Sequence, residues 1–321
     1  MKDLILKFPE QLNWTPELKR SERLNLSAKS YLLAGMGGSH LAGDIILAWQ
    51  PECDISIWSD YGLPTGLSDE CLVIISSYSG NTEEAIDNAE TARRQGRRPV
   101  VITSGGYLYE LAEREKWPLI ALPPNWPPRL ATGFGLKALA LLVVSSELSD
   151  RLVMAGRDLD PLAFEEGGKR LAGNLLEGVP VIYTERSLSA LAYNWKIKIN
   201  ENSKLPAFWG LIPEVNHNEL MGFGCQFLPP TIREGFFRFV FLIDGEGHAR
   251  NLRRFKVLAQ MYRDQGWPVE EVFLPGDDRL SKLLNGMVLG DWTSFYLASF
   301  RDIDPVSVPL IEDFKKKLDQ E

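Results

Sequence analysis

Little in this chain is suited to holding a metal ion or a disulfide framework. Its 321 residues contain three cysteines, Cys53, Cys71 and Cys225, which are widely separated and lack the paired spacing of a zinc site or redox motif. They read as reduced thiols, as expected of a cytoplasmic protein. Histidine is equally scarce: His40, His217 and His248 share no metal-ligand spacing, so neither a metal nor another cofactor is expected. Basic residues, 35 against 43 acidic, leave a formal net charge of -8. That balance excludes the basic face with which proteins grip nucleic acid or an anionic membrane surface. An anionic ligand must therefore meet local positive charge. No apolar run reaches the length of a membrane span, and the opening Met1-Lys2-Asp3-Leu4 lacks the features of a signal peptide. Low-complexity segments and sequence repeats are absent too.

What is present is alternation. Short β-branched runs at Tyr31 to Ala34, Asp54 to Trp58, Leu72 to Ile75, Pro99 to Thr103 and Leu119 to Ala121 read as buried parallel strands. Helical spacing separates them, at Leu41 to Trp49, Asn81 to Gln95 and Tyr107 to Glu115. A further apolar helix, Leu130 to Val144, gives way to the polar segment Ser145 to Asp150, taken as a domain boundary. The second half repeats the theme with strands at Val179 to Thr184, Phe237 to Ile243 and Val269 to Phe273. This length and pattern predict an α/β protein of two tandem, doubly wound parallel-sheet sandwiches, residues 1–150 and 151–321, with a C-terminal helix.

The most informative segment is Ser76-Ser77-Tyr78-Ser79-Gly80-Asn81-Thr82-Glu83-Glu84, at a strand-to-helix turn. The first N–H groups of a helix lack intrahelical partners and sit at the positive end of its dipole, so the Ser77, Ser79 and Thr82 hydroxyls there suit a phosphate. The ordinary explanation is a helix cap, by Asn81 or Ser79. A second turn, Gly35-Met36-Gly37-Gly38-Ser39, departs from the dinucleotide fingerprint because His40 stands where the third glycine belongs. It suits either close approach of backbone to a ligand or a structural tight turn. Arg129 follows the Pro-rich segment Pro123 to Pro128 at the expected carboxyl edge of the sheet; a phosphate contact and a surface salt bridge both explain it. Glu201 closes a helix, where the dipole is negative and tends to raise a carboxyl pKa, as suits a general base. His217 lies among Asn216, Asn218 and Glu219, which are placed to orient its imidazole. His248 reads as an exposed helix start. Near the end, Val308, Ile311, Phe314 and Leu318 form an apolar stripe whose docking would hold one of Lys315, Lys316 and Lys317 in place.

Taken in order, the two turns, Pro128-Arg129, Asn200-Glu201-Asn202, Asn216-His217-Asn218-Glu219 and the tail to Lys315 resemble the bifunctional phosphoglucose/phosphomannose isomerases, of the sugar-isomerase (SIS) fold. The resemblance implies interconversion of glucose 6-phosphate or mannose 6-phosphate with fructose 6-phosphate through a cis-enediol, without metal. It implies that Gly38, Ser39, Ser77, Ser79 and Thr82 hold the substrate, that Glu201 moves the proton, and that Arg129 stabilises the enediolate. It also implies that His217 and Lys315 assist ring opening, with His217 supplied by the partner in a homodimer. Nucleic-acid and membrane partners are not expected.

Overall fold

The computed structural model describes residues 1–24, 28–143, 146–233 and 236–318. The expected helix end at Val144 and the first residue of the expected boundary, Ser145, lie outside them. From Ser146 the chain is helical to Asp158, and the first compact unit runs through to Asp160.

That unit comprises Leu6–Asp160 with Gly276–Leu283. Its six strands are β1 (Leu18–Lys19), β2 (Ser30–Ala34), β3 (Ile55–Trp58), β4 (Cys71–Ser76), β5 (Val100–Thr103) and β6 (Leu119–Ala121), in the order β1-β6-β5-β4-β2-β3. All neighbours pair in parallel except the edge strand β1, which runs antiparallel to β6. Val73 and Ile75 of β4 and Leu32 and Ala34 of β2 face a core shared with Ala85, Ala89 and Ala92. The alanines let the helix Glu83–Arg94 lie close on the sheet while its charged side faces water. From β2 the chain turns outward to β3, whereas β4 leads to β5 and β6 on the other side. The sheet thus reverses direction between β2 and β4, the position where open α/β sheets form a ligand crevice. The glycine turn leaves β2 at that point, and the serine turn leaves β4.

The second unit comprises Met1–Ile5, Pro161–Pro275 and Leu284–Glu321. Its sheet is parallel throughout, in the order β10-β9-β7-β8, with β7 at Val179–Glu185, β8 at Phe208–Ile212, β9 at Phe237–Ile243 and β10 at Val269–Phe273. One face carries an aromatic core of Tyr183, Phe239, Phe241, Tyr262 and Trp267. The helix Ser189–Ser203 is buried on most of its surface. Trp195 Nε1 donates to the Gly286 carbonyl at 2.8 Å, and Asn202 Nδ2 to Ser294 Oγ at 2.8 Å, which ties this helix to Arg279–Phe300.

Candidate active site

The two turns at the sheet reversal share hydrogen bonds. Tyr78 N donates to Ser39 Oγ at 3.2 Å and Ser76 Oγ donates to the Ser39 carbonyl at 2.9 Å. Ser77, 1% exposed, shares a hydrogen bond of 2.8 Å with the Thr82 hydroxyl and accepts one from Gly80 N at 3.2 Å. Ser79 is exposed, and its hydroxyl accepts from Asn81 N at 3.3 Å. The helix begins at Glu83, and no side chain caps it. Neither cap expected from sequence is therefore made. Asn81 instead caps the neighbouring helix Gly106–Arg114, its Oδ1 accepting from Tyr107 N at 2.9 Å. Gly80 has φ +70° and lies against the Gly105 carbonyl, so any side chain there would collide with it.

Arg129 sits in a short 3-10 turn, Pro128–Leu130, and is 4% exposed. That burial excludes the surface salt bridge. A Cβ placed on Gly38 would lie 3.3 Å from the Pro128 carbonyl and 3.5 Å from Arg129 Cα, so glycine allows the two backbones to meet. The cradle thus acquires a buried cation in an acidic chain. His40 is buried in the first turn of the helix Gly38–Trp49, where Nδ1 donates to Asp44 Oδ2 at 2.6 Å.

The remaining candidates belong to the second unit. Glu201 is half-buried in the last turn of Ser189–Ser203, between anchored neighbours. Ser203 Oγ donates to the Ser294 carbonyl at 2.8 Å, and Lys198 meets Asp291 at 2.7 Å one turn earlier. Burial pulls the Lys198 ammonium below the ordinary lysine range, against the opposing effect of Asp291. The helix end is not the bare negative dipole expected from sequence: Lys204 Nζ donates to the Glu201 carbonyl at 2.6 Å and to that of Asp304 at 2.8 Å. His217 is exposed at the end of a 3-10 turn, and among the described residues none bonds its imidazole. The three neighbours expected to orient it are engaged elsewhere. Asn216 Oδ1 accepts from Arg254 at 3.2 Å, Asn218 Oδ1 accepts from Glu219 N at 2.6 Å, and Glu219 accepts from the Tyr183 hydroxyl at 2.5 Å. Lys315 lies on the helix Pro309–Leu318, which buries none of its residues; Leu310 is 83% and Phe314 61% exposed. Of the expected apolar stripe, Ile311, Phe314 and Leu318 lie on this helix and Val308 just before it, and none of the described residues covers them fully. His248 caps the helix Ala249–Asp264, its Nδ1 accepting from Arg250 N at 3.2 Å.

Residues 164–318 match the family model for the bacterial phospho-glucose isomerase C-terminal SIS domain. The bifunctional phosphoglucose/phosphomannose isomerase of Caldicellulosiruptor bescii is 32% identical over 99% of this chain and 98% of its own. That of Aquifex aeolicus is 35% identical over 90% of each chain. The chain belongs to this isomerase family. A D-glucosamine-6-phosphate 4-epimerase of Sulfolobus acidocaldarius is also related, 30% identical over 64% of this chain and 69% of that one. Among solved structures, a glucose-6-phosphate isomerase like protein of Thermus thermophilus superposes with a TM-score of 0.63 at 19% identity, over 98% of this chain and 94% of that one, which speaks to the fold alone. Within the family frame, the candidates that the structure brings together are Gly38, Ser39, Ser77, Ser79, Thr82 and Arg129. Two further residues adjoin this group without a signal in the sequence beyond a cap at Asn81: Asn81 accepts from Tyr107 N, and Tyr78, between two cradle serines, bonds Ser39. Among the described residues no group of three or more His, Cys, Asp and Glu could hold a metal ion, and no helix is long and apolar enough to cross a membrane.

Proposed function

We propose that this isomerase interconverts glucose 6-phosphate and mannose 6-phosphate with fructose 6-phosphate by proton transfer between C1 and C2, without a metal ion, in the cytoplasm. The observation that carries the reading is the uncapped start of the helix Glu83–Arg94, surrounded by Ser39, Ser77, Ser79 and Thr82 at the sheet reversal with Arg129 buried beside it. Backbone N–H groups, hydroxyls and a helix dipole together suit a phosphate dianion. Anchoring that end fixes the carbonyl end of the sugar and removes much of the entropy cost of reaction.

In this proposal Ser39, Ser77, Ser79 and Thr82 supply the grip, and Arg129, Glu201, His217 and Lys315 the proton chemistry. The proton next to a carbonyl is weakly acidic, so its removal needs a positioned base and a cation near the developing oxyanion. Glu201 is the base, held by its anchored helix end. Arg129 is the cation, and His217 and Lys315 assist opening of the ring. The exposed imidazole, to which none of the described residues bonds, supports a homodimer in which His217 serves the partner's site.

Coupled assays on both sugar phosphates, with and without chelator, test the reading: turnover insensitive to chelator is expected, and no turnover of either sugar overturns it. Replacement Glu201→Gln is expected to lower kcat at least about 10²-fold while fructose 6-phosphate still binds by calorimetry. Retained turnover removes Glu201 from the role of base. A second reading, activity on another phosphosugar, draws on the epimerase relative. Glucosamine 6-phosphate in the same assay series separates the two. A sensor without catalysis would bind these sugars and turn over none.

A further inference from the structure

Tyr78 lies between Ser77 and Ser79, yet its side chain leaves the cradle for the loop that carries Arg129. The phenol donates to the Pro123 carbonyl at 2.6 Å and accepts from Trp126 N at 3.0 Å. Burial pushes the phenol up from its ordinary pKa, so it is protonated and able to donate at neutral pH. The backbone of the same residue is held on both sides. Its N–H donates to Ser39 Oγ at 3.2 Å, and its carbonyl accepts from Ser104 N at 3.0 Å and Ser104 Oγ at 2.6 Å. One residue therefore bonds to the turns that follow β2, β5 and β6.

The loop at the far end of these bonds contains Asn125 at φ +69°, in the left-handed region, which asparagine tolerates better than most residues. Trp126 packs edge-on against Phe134, with ring centroids 5.4 Å apart. Two residues on, the loop enters the turn Pro128–Leu130, which presses Arg129 against the glycine turn. The phenol of Tyr78 and the ring of Phe134 both anchor this approach.

We propose that Tyr78 is a positioning residue that sets the Arg129 guanidinium relative to the phosphate cradle by fixing the loop Pro123–Pro128. The inference rests on the isomerase reading, in which Arg129 meets the enediolate. Phosphate held by Ser77 and Ser79 and the cation held through Tyr78 then share one short stretch of backbone. Tyr78 thus links the cradle backbone directly to the loop that leads to Arg129. Displacement of a catalytic group by about 1 Å is enough to cost orders of magnitude in rate.

The test is a double-mutant cycle on the full-length protein. Tyr78→Phe keeps the ring and deletes both loop bonds. It is expected to lower kcat about 10-fold or more while inorganic phosphate, which reports the cradle alone, still inhibits within about twofold of wild type. In an Arg129→Lys background Tyr78→Phe is expected to add little, because the group it positions is already gone. Tyr107→Phe removes another phenol bond in the same unit, to Glu90 at 2.8 Å, and is expected to leave kcat unchanged. If Tyr78→Phe does not fold, Phe134→Leu loosens the loop from its other anchor and enters the same cycle. Unchanged kcat, a loss confined to phosphate affinity, or losses that multiply fully with Arg129→Lys each overturn the proposal. Wild-type turnover is measured first. A wild type inactive on both sugars defeats the isomerase reading and this inference with it, whereas an active wild type with an unaffected variant defeats this inference alone.

Discussion

Ser77 concentrates the argument at the scale of single residues. Its hydroxyl is held by Thr82 and Gly80 in a nearly dry position, so its oxygen is fixed in place before a phosphate arrives. Loss of one hydrogen bond to a charged group costs about 1.5–3 kcal/mol. Replacement Ser77→Ala is thus expected to raise KM for glucose 6-phosphate roughly 10- to 100-fold, with the larger part of kcat retained; an unchanged KM would remove Ser77 from the cradle. The residues around it were legible because a run of hydroxyls before a helix is a local signal. Asn81 was not, since its partner, Tyr107 N, lies 26 residues further along the chain. The set around His217 misled for the opposite reason. Asn216, Asn218 and Glu219 are near in sequence, but Arg254 and Tyr183 arrive from elsewhere in the fold and claim two of them.

At the scale of elements, β2, β3, β4, β5, β6, β7, β9 and β10 were readable as β-branched or aromatic runs between turn residues. β8 was not: Phe208-Trp209-Gly210-Leu211-Ile212 has glycine in its middle and Pro206 and Pro213 close to its ends, and becomes a strand only by pairing with β7. The 22-residue helix Arg279–Phe300 escaped as well, because Leu283, Met287, Trp292 and Leu297 are buried around much of its circumference, which blurs the amphipathic signal. The interlock of the loops after β4 and β5 has a specific consequence. Gly80 combines a positive φ with contact on the Gly105 carbonyl, so Gly80→Ala adds a steric conflict to about 1–3 kcal/mol of backbone strain. Its thermal midpoint is expected to fall by about 2–4 °C per kcal/mol, together with weaker phosphate binding. A midpoint and phosphate affinity like those of wild type would show that the interlock tolerates a methyl group.

For the whole molecule, the proposed homodimer rests on two features of a single chain that are otherwise hard to reconcile with a working site. The imidazole of His217 is exposed with none of the described residues bonded to it, and Lys315 rides on a helix whose Leu310, Ile311, Phe314 and Leu318 remain uncovered. An apolar stripe on a surface helix is stable only against another surface, and a general acid works only when its ring is held in place. A second subunit relieves both conditions at once. If His217 serves the partner's site, Glu201→Gln and His217→Ala disable complementary parts. In a dimer containing one chain of each kind, one of the two sites has an intact glutamate and an intact histidine. Random exchange between the two inactive homodimers then gives about half mixed dimers, and activity recovers to about a quarter of wild type. If both residues serve the same chain, every site lacks one of them and mixing restores nothing. Mass measured by sedimentation on the same samples fixes the subunit count. A monomer, or a mixture that stays inactive after exchange is demonstrated with tagged chains, overturns the assignment of His217 across the interface.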